Sequence, residues 1–174
     1  MQIIHDFKIN FYEYYQNGKH NHYPELKHCP RCHDRMVKHG FYSRYIATIS
    51  TSYKVYIRRY RCKHCGRTVS FLPSFLLPQF QMLLLLIFKA IVQYNERKRF
   101  LLDFRLVFFY LKRFGDALNG CIAFFRELTP QIRIPLQRRR AVETILASIK
   151  RFPSGVFDFS QRYFQTFGVS FMSQ

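Results

Sequence analysis

Hydrophobic residues follow a period of two in the first half of the chain and a helical period in the second half. Residues 36–46 and 53–61 are rich in Tyr, Phe, Val and Ile, which is typical of β-strands, and residues 47–52 connect them. Two prolines in residues 72–78 mark a linker, and the apolar segments beyond it predict helices. These helices span residues 79–94, 100–114 and 117–128, a segment that begins at 138, and residues 158–167. The pattern predicts an α+β protein, with a small antiparallel β module followed by an all-α helical domain.

The second predicted strand has two chemically different faces, because neighbouring residues point to opposite sides. The apolar face consists of Tyr53, Val55 and Ile57. Cations and aromatic rings alternate on the opposite face, at Lys54, Tyr56, Arg58 and Tyr60. Such a face can pair with phosphates and stack on bases or sugars, with an ordinary solvated strand face as the alternative. Arg59 and Arg61 interrupt the apolar face, so the cationic surface is expected to wrap round the end of the hairpin.

Four of the five cysteines form two Cys-x-x-Cys pairs, Cys29 with Cys32 and Cys62 with Cys65. Nothing suggests export, and in a reducing cytosol such pairs indicate a metal site more often than disulfides. Two pairs supply the four thiolates that zinc binds in a tetrahedron, and an all-cysteine site is closed to substrate. The sequence therefore predicts one structural Zn²⁺ with these four cysteines as ligands. A redox dithiol is the alternative, but a single pair at a helix start would be typical of it.

Other residues near the cysteines have subsidiary predicted roles. Gly66, directly after the second pair, suits a turn that needs a positive φ and points N–H groups at the sulfurs. His28, His33 and His64 flank the pairs and are interpreted as solvated side chains or donors to the sulfurs, with replacement of a cysteine ligand as the minor alternative. Cys121 stands alone and is predicted to be a small core residue.

The composition adds a strong positive charge to this picture. The 174 residues carry a formal net charge of +18, and 48% of them are hydrophobic, which is too many for a disordered basic tail. The charge is even along the chain, because residues 1–80 and residues 81–174 each carry +9. A folded cationic body of this kind indicates polyanionic partners, with nucleic acid first and an anionic membrane surface second. Simple solubility is the alternative, but +18 exceeds what a small domain needs for it.

Candidate nucleic-acid contacts combine the strand face with basic residues near the cysteines and at one helix start. Arg138-Arg139-Arg140 begins a helix with an apolar stripe, where the helix dipole disfavours cations, so either a phosphate contact or a solvated loop would account for these arginines. A turn at residues 114–116 resembles that of a helix-turn-helix, with a structural helical hairpin as the alternative. The candidate contacts are Lys54, Tyr56, Arg58, Arg59, Arg61, Arg67, Arg138, Arg139 and Arg140.

The sequence shows no motif that is typical of an enzyme. Its 10 acidic residues do not have the clustered layout that a two-metal nuclease or transposase core needs. A Gly-rich phosphate loop, Gly-x-Ser-x-Gly and His-Glu-x-x-His are all missing. The start lacks the pattern of a signal peptide, and the longest apolar run, residues 82–88, is far shorter than the about 20 residues of a spanning helix. We therefore expect a non-enzymatic, cytoplasmic, nucleoid-associated protein.

Residues 28–78 combine the cysteine pairs with further short motifs. In chain order these are Cys29-Pro30-x-Cys32, His39-Gly40-Phe41-Tyr42-x-Arg44, Ile57-x-Arg59-x-Arg61-Cys62-x-x-Cys65-Gly66-Arg67-Thr68 and Leu72-Pro73-x-Phe75-x-x-Pro78. This segment resembles the amino-terminal zinc ribbon of bacterial insertion-sequence transposases. The whole chain resembles a family of short uncharacterised bacterial zinc-ribbon proteins associated with transposons. The resemblance implies DNA binding and maps the four cysteines onto the metal ligands, but it does not carry strand transfer over, because the catalytic domain has no counterpart in these residues.

The sequence predicts three regions and a binding function. Residues 1–27 are expected to be an N-terminal extension that packs on the body, residues 28–72 the zinc ribbon and residues 73–174 the helical domain. The predicted function is nucleic-acid binding, with DNA favoured over RNA, in association with a mobile element and its transposase. The alternatives are an RNA or single-strand binder and an adaptor that docks on a transposase or nuclease. Membrane-surface binding is least favoured because no basic amphipathic helix is evident.

Overall fold

The computed structural model describes residues 1–99 and 102–172, and the chain forms two compact units, Met1–Met82 and Leu83–Gln174. The first unit contains β1 (Gln2–His5), α1 (Phe11–Asn17), β2 (Met36–Ala47), β3 (Ser52–Cys62) and β4 (Thr68–Pro73). The second unit contains α2 (Leu84–Asn95), α3 (Phe104–Asp116), α4 (Leu118–Leu128), α5 (Arg138–Lys150) and α6 (Val156–Phe167). The mixed α+β class predicted from the sequence is confirmed.

The four strands form one sheet in the order β1-β4-β3-β2. β2 and β4 both pair antiparallel with β3, whereas β1 pairs parallel with β4. The sequence pattern missed β1 and β4, because strands of 4 and 6 residues are too short to show a period. Since β1 is a strand of the sheet, residues 1–27 are part of the first unit rather than an extension added to it.

A β-bulge in β2 sets which side chains share a face of the sheet. Lys38 pairs with Tyr60 and Phe41 pairs with Arg58, so His39 and Gly40 together oppose the single residue between them on β3. Gly40 adopts a φ of +73°, which glycine allows at little cost. Without the extra residue, the side chains of β2 beyond the bulge would point to the opposite face.

One face of β2 and β3 is covered by the segment that follows β4. Val55 and Ile57 are buried on this face, as the alternation predicts. Arg44 lies beside Val55 and donates from its guanidinium to the backbone carbonyls of Leu77 and Phe80. Burial lowers the pKa of Arg44. The contacts therefore place the end of the first unit at Met82 and not at residue 72, where the prolines indicated a boundary.

The free edge of β3 is closed by two tyrosines. β4 pairs only with residues 59–61 of β3, which leaves the carbonyl of Tyr56 without a strand partner. That carbonyl accepts hydrogen bonds from the hydroxyls of Tyr14 at 2.8 Å and Tyr23 at 3.2 Å. Burial raises the pKa of Tyr14, whose ring is fully buried. The N-terminal segment thus satisfies a sheet edge that would otherwise expose backbone groups.

The second unit is a helical assembly around an aromatic core. Phe125 and Phe159 stack with ring centroids 5.5 Å apart and planes inclined by 5°. A Cβ atom at Gly120 would overlap the hydroxyl of Tyr163, so this glycine of α4 leaves room for the end of a tyrosine side chain of α6. At the end of α2, the carboxylate of Glu96 forms ion pairs with the ammonium groups of Lys98, at 2.7 Å, and of Lys150 in α5, at 2.8 Å.

Several helix boundaries differ from the predicted ones. The helix predicted from residue 79 begins at Leu84, because Met82 still pairs with Ala47 of β2. α3 continues through Asp116, so only Ala117 separates it from α4, and the turn predicted at residues 114–116 is helical instead. Residues 100 and 101 of the predicted third element lie outside the described residues. No helix among residues 1–99 and 102–172 is long and apolar enough to cross a bilayer.

Arg44→Met should destabilise the protein, because it keeps most of the apolar stem and removes the donors for two linker carbonyls. We expect the free energy of unfolding to fall by about 1–3 kcal/mol, as for other buried groups left without a hydrogen-bond partner. Urea unfolding followed by circular dichroism measures this change. Lys54→Met, at an exposed position on the opposite face of the sheet, is the matched control and should change stability little. An equal effect of the two substitutions would mean that the hydrogen bonds of Arg44 to the carbonyls of Leu77 and Phe80 do not stabilise the protein.

Candidate metal centre and cationic surface

The four paired cysteines converge at one end of the sheet. Their sulfurs all lie within 4.8 Å of one another, with Cys29 and Cys65 3.7 Å apart and Cys32 and Cys62 3.5 Å apart. These separations exclude S–S bonds, which are about 2.05 Å long, and lie near the edge of about 3.8 Å expected for a tetrahedron of sulfurs around zinc. Each close contact joins one thiol of the first pair to one of the second. The cluster could hold a metal ion, as the sequence spacing predicts.

Both cysteine pairs lie in tight turns that end in the left-handed conformation. In the first turn His33 donates its N–H to the carbonyl of Cys29 at 2.9 Å, and in the second Cys65 donates its N–H to the sulfur of Cys62 at 3.4 Å. The residue after each pair has a positive φ, 58° at His33 and 68° at Gly66. Gly66 was predicted to have this role. The equivalent conformation of His33 was missed, because a positive φ is uncommon in residues other than glycine.

The pKa values of two of the thiols, Cys29 and Cys32, are shifted in opposite directions. Backbone N–H groups of Cys32 and Arg31 lower the pKa of Cys29 to about 6. At Cys32 a hydrogen bond from the backbone of Asp34 also lowers the pKa, but burial and the neighbouring thiols outweigh it and raise the pKa to about 12. Four thiols this close cannot all ionise without a cation between them, because their charges repel. A divalent ion between the sulfurs would offset the repulsion between the thiolates and allow them all to ionise.

A small apolar core packs against the buried side of the cysteine cluster. It consists of Cys29, Met36, Tyr60, Cys62, Val69 and Phe71. The prediction that the side chain of Tyr60 lies on an open cationic face is wrong. Tyr60 is only 3% exposed, and its hydroxyl donates to the carbonyl of Pro24 at 2.9 Å, because the chain before the first cysteine pair crosses over it.

Exposed cations surround the metal end of the first unit. Arg61 and Arg67 were among the predicted contacts, and both are exposed. Sequence reasoning missed Arg31, Arg35 and Lys63, which are exposed in or beside the cysteine turns. Arg31 and Lys63 lie inside the Cys-x-x-Cys motifs and Arg35 follows the first motif closely, so their positions could have revealed them. The chain has no Asp or Glu between residues 35 and 95, so β2, β3 and β4 carry no carboxylate at all.

The predicted contacts on β3 divide between the two faces of the sheet. Lys54, Tyr56 and Arg58 share one face, and Arg59 and Arg61 lie on the other. Arg58 packs 4.7 Å from the ring centre of Phe41, and Arg59 lies 5.9 Å from that of Tyr42. The Nε atom of Arg59 is buried without a hydrogen-bond partner. These residues cannot all meet one flat ligand, and a ligand would have to pass round the metal end to reach both faces.

The arginines at the start of α5 belong to the second unit and differ from one another. Arg138 donates to the carbonyl of Gly115 at 3.0 Å, at the C-terminal end of α3, where the helix dipole favours a cation. Arg139 pairs with Glu143 at 3.5 Å. Arg140 is exposed. Intramolecular contacts therefore account for Arg138 and partly for Arg139, and they leave Arg140 as the best candidate for a phosphate contact among the three.

Part of the chain matches the model of a known protein family. Residues 29–99 are similar to a family described as a domain of unknown function (DUF6431). The matched segment begins at the first cysteine of the cluster and contains all four, together with β2, β3, β4 and α2. Searches of curated proteins and of solved structures found no match.

Metal content should depend on the clustered cysteines alone. Native mass spectrometry of the full chain is expected to show one divalent ion per chain. Cys62→Ser should lose it, because three thiolates hold a closed tetrahedral site poorly. Cys121→Ser is the matched control, since burial raises the pKa of this thiol in α4 to about 12 and keeps it neutral. Stoichiometric metal in Cys62→Ser would contradict the assignment.

The two turn residues should respond to substitution in opposite directions. His33→Gly should strengthen metal binding by up to about 1 kcal/mol, because a left-handed residue with a Cβ is strained by about 1–2 kcal/mol and glycine has a partly offsetting entropy. Gly66→Ala should weaken binding by about the same amount, although its Cβ would meet no atom within 4 Å. Competition with a chromophoric chelator measures both affinities. A weaker site in His33→Gly would mean that the imidazole itself supports the metal.

Proposed function

We propose that the protein is a zinc-ribbon nucleic-acid-binding protein that binds DNA and acts with a mobile-element transposase without catalysing transfer itself. Support for the ribbon comes from three antiparallel strands whose ends carry both cysteine turns. A set of four thiolate ligands favours zinc, and a metal ion with four protein ligands has no open position for a substrate. The metal would then be structural, and its binding, worth about 10–16 kcal/mol in small sites, would stabilise the end of the sheet.

The excess of exposed cations over carboxylates at the metal end is the observation that carries the DNA-binding proposal. Four thiolates and one Zn²⁺ have a net charge of −2, which nearby cations could offset. Five exposed cations lie in or beside the cysteine turns: Arg31, Arg35, Arg61, Lys63 and Arg67. An excess remains even after that offset and the charge of exposed Asp34 in the first turn are counted, and β2, β3 and β4 contribute no carboxylate. A polyphosphate backbone is the partner that such a surface fits best.

A protein-binding role is the second candidate, and it has its own support in the second unit. Phe104 and Phe108 are 56% and 46% exposed, and their ring centres are 4.5 Å apart. Tyr94 at the end of α2 contacts Phe108 at 5.8 Å. Exposed aromatic groups of this kind are enriched at protein interfaces. An adaptor that docks on a transposase would co-purify with it after nuclease treatment, and a transposase gene beside this one would support the association.

The salt dependence of DNA binding tests the main proposal. If about five to eight phosphates are engaged, a plot of log K against log[salt] for duplex DNA should have a slope of roughly −4 to −7. Fluorescence anisotropy with a labelled duplex across a salt series measures it. A flat dependence would contradict nucleic-acid binding through the cationic surface.

Charge-removing variants test which surface makes the contacts. Replacing Arg61, Lys63 and Arg67 together by Gln should reduce the magnitude of the slope by up to about 2.7, or about 0.9 for each lost phosphate contact. Arg140→Gln should reduce it by about 0.9 if Arg140 contacts a phosphate. Lys112→Gln on α3 is the matched control and should leave the slope unchanged. Equal effects per removed charge in all variants, Lys112→Gln included, would mean that only net charge matters.

A further inference from the structure

One face of the β2–β3 hairpin remains exposed beyond the bulge, and we call it the hairpin face. It is formed by three cross-strand pairs that point to the same side: Phe41 with Arg58, Ser43 with Tyr56, and Tyr45 with Lys54. Its most exposed aromatic residue is Tyr45, at 58%. The opposite face of the same strands buries Val55 and Ile57. On the hairpin face Tyr23 packs on Phe41, so the part left open is the end that carries Ser43, Tyr45 and Lys54.

Aromatic rings and cations are already in contact across the hairpin face. The guanidinium of Arg58 lies 4.7 Å from the ring centre of Phe41, and the ammonium of Lys19 lies 5.0 Å from that of Tyr56. Such contacts fix a ring and a charge side by side. A ligand with a flat π-system beside an anionic group could therefore stack on the open ring of Tyr45 and pair with a neighbouring cation at once.

The charge of the face selects among possible occupants. Lys54 and Arg58 lie on it and Lys19 at its side, and neither strand contributes a carboxylate. A second copy of the face would bring like charges together, which is unfavourable. A polyanion that also exposes aromatic surface fits it better, and nucleotides combine both properties.

The stacking contacts that this face offers favour unpaired over paired nucleotides. Successive side chains on one face of a strand are about 6.8 Å apart, twice the rise of about 3.4 Å between stacked nucleotides of one DNA strand. Bases inside a duplex bury their faces against neighbours and cannot stack on protein rings. Bases of a single strand can separate and stack on such rings.

We propose that the hairpin face binds unpaired nucleotides by stacking, with Tyr45 as the principal stacking residue and Lys54 and Arg58 on the adjoining phosphates. The inference rests on the proposed nucleic-acid binding and names the substrate class at one part of that surface. The ligand that uses both surfaces is then a duplex with a single-stranded extension: the metal end contacts the paired phosphates, and the hairpin face stacks on the extension.

Anisotropy with three labelled probes tests the inference on the full metal-loaded chain. The probes are a blunt duplex, a single strand of the same sequence, and the duplex with a single-stranded overhang. We expect Tyr45→Ala to weaken binding of the single strand and the overhang probe by roughly 5- to 100-fold, the range for one lost base–aromatic stack, and to leave the blunt duplex unchanged. Tyr12→Ala is the matched control: Tyr12 is 56% exposed, and its ring packs on Tyr53, which lies on the other face of β3.

A fluorescent reporter gives a second readout that does not depend on affinity. The chain contains no Trp, so Tyr45→Trp introduces a single indole on the hairpin face. The overhang probe should quench its emission, because a base that stacks on the ring quenches it, and binding should be at least as tight as with Tyr45. Tyr12→Trp should show no quenching with the same probe.

The outcomes separate this inference from the proposed function. If all three probes bind the native chain equally and Tyr45→Ala changes none of them, the hairpin face does not bind unpaired bases, although nucleic-acid binding stands. If no probe binds, the proposed function fails and the inference fails with it. If single-strand binding is absent and Tyr45→Ala instead abolishes a dimer in sedimentation velocity, a second copy occupies the face and the inference is overturned.

Discussion

Four thiols held within 4.8 Å of one another are the constraint on which the first unit depends. As thiolates they would repel strongly at this distance, so the charged arrangement requires a cation at its centre. The sulfurs come from the turn before β2 and from the turn between β3 and β4. A cation there would therefore fasten the ends of three strands at once, at an end of the sheet whose own apolar core is small.

The sheet changes its buried face along β3, and this change decides which surface is left for a ligand. Near the metal Tyr60 and Cys62 are buried on one side, whereas further along Val55 and Ile57 are buried on the other. The reason lies in what covers each part: the chain before the cysteines covers the first side, and the segment held by Arg44 covers the second. The bulge at Gly40 shifts the register of β2 by one residue, so that its side chains point to the same face as their partners on β3 on both sides of the bulge.

The elements that the sequence predicted well are those whose cause is local. The cysteine spacing, the left-handed Gly66 and the alternation of Val55 and Ile57 each follow from a few neighbouring residues. What the pattern missed depends on distant partners. β1 is a strand only because β4 lies beside it, and Arg44 appears in the sequence as one more surface cation although it binds linker carbonyls 33 and 36 residues away. Tyr60 was placed wrongly for the same reason, since alternation does not reveal that residues near Pro24 cover it.

The intramolecular partners of the cations show which positive charges the fold itself uses and which remain at the surface. Arg44 and Arg138 donate to backbone carbonyls, and Lys150 pairs with Glu96, so the fold itself accounts for these charges. The exposed cations at the metal end have no carboxylate within the sheet to pair with, because residues 35–95 contain none. Selection for solubility alone would not require acids to be missing from one continuous segment, since mixed charges keep a surface soluble equally well. A partner that carries negative charge along its whole length would explain this segment, because any carboxylate placed there would repel it.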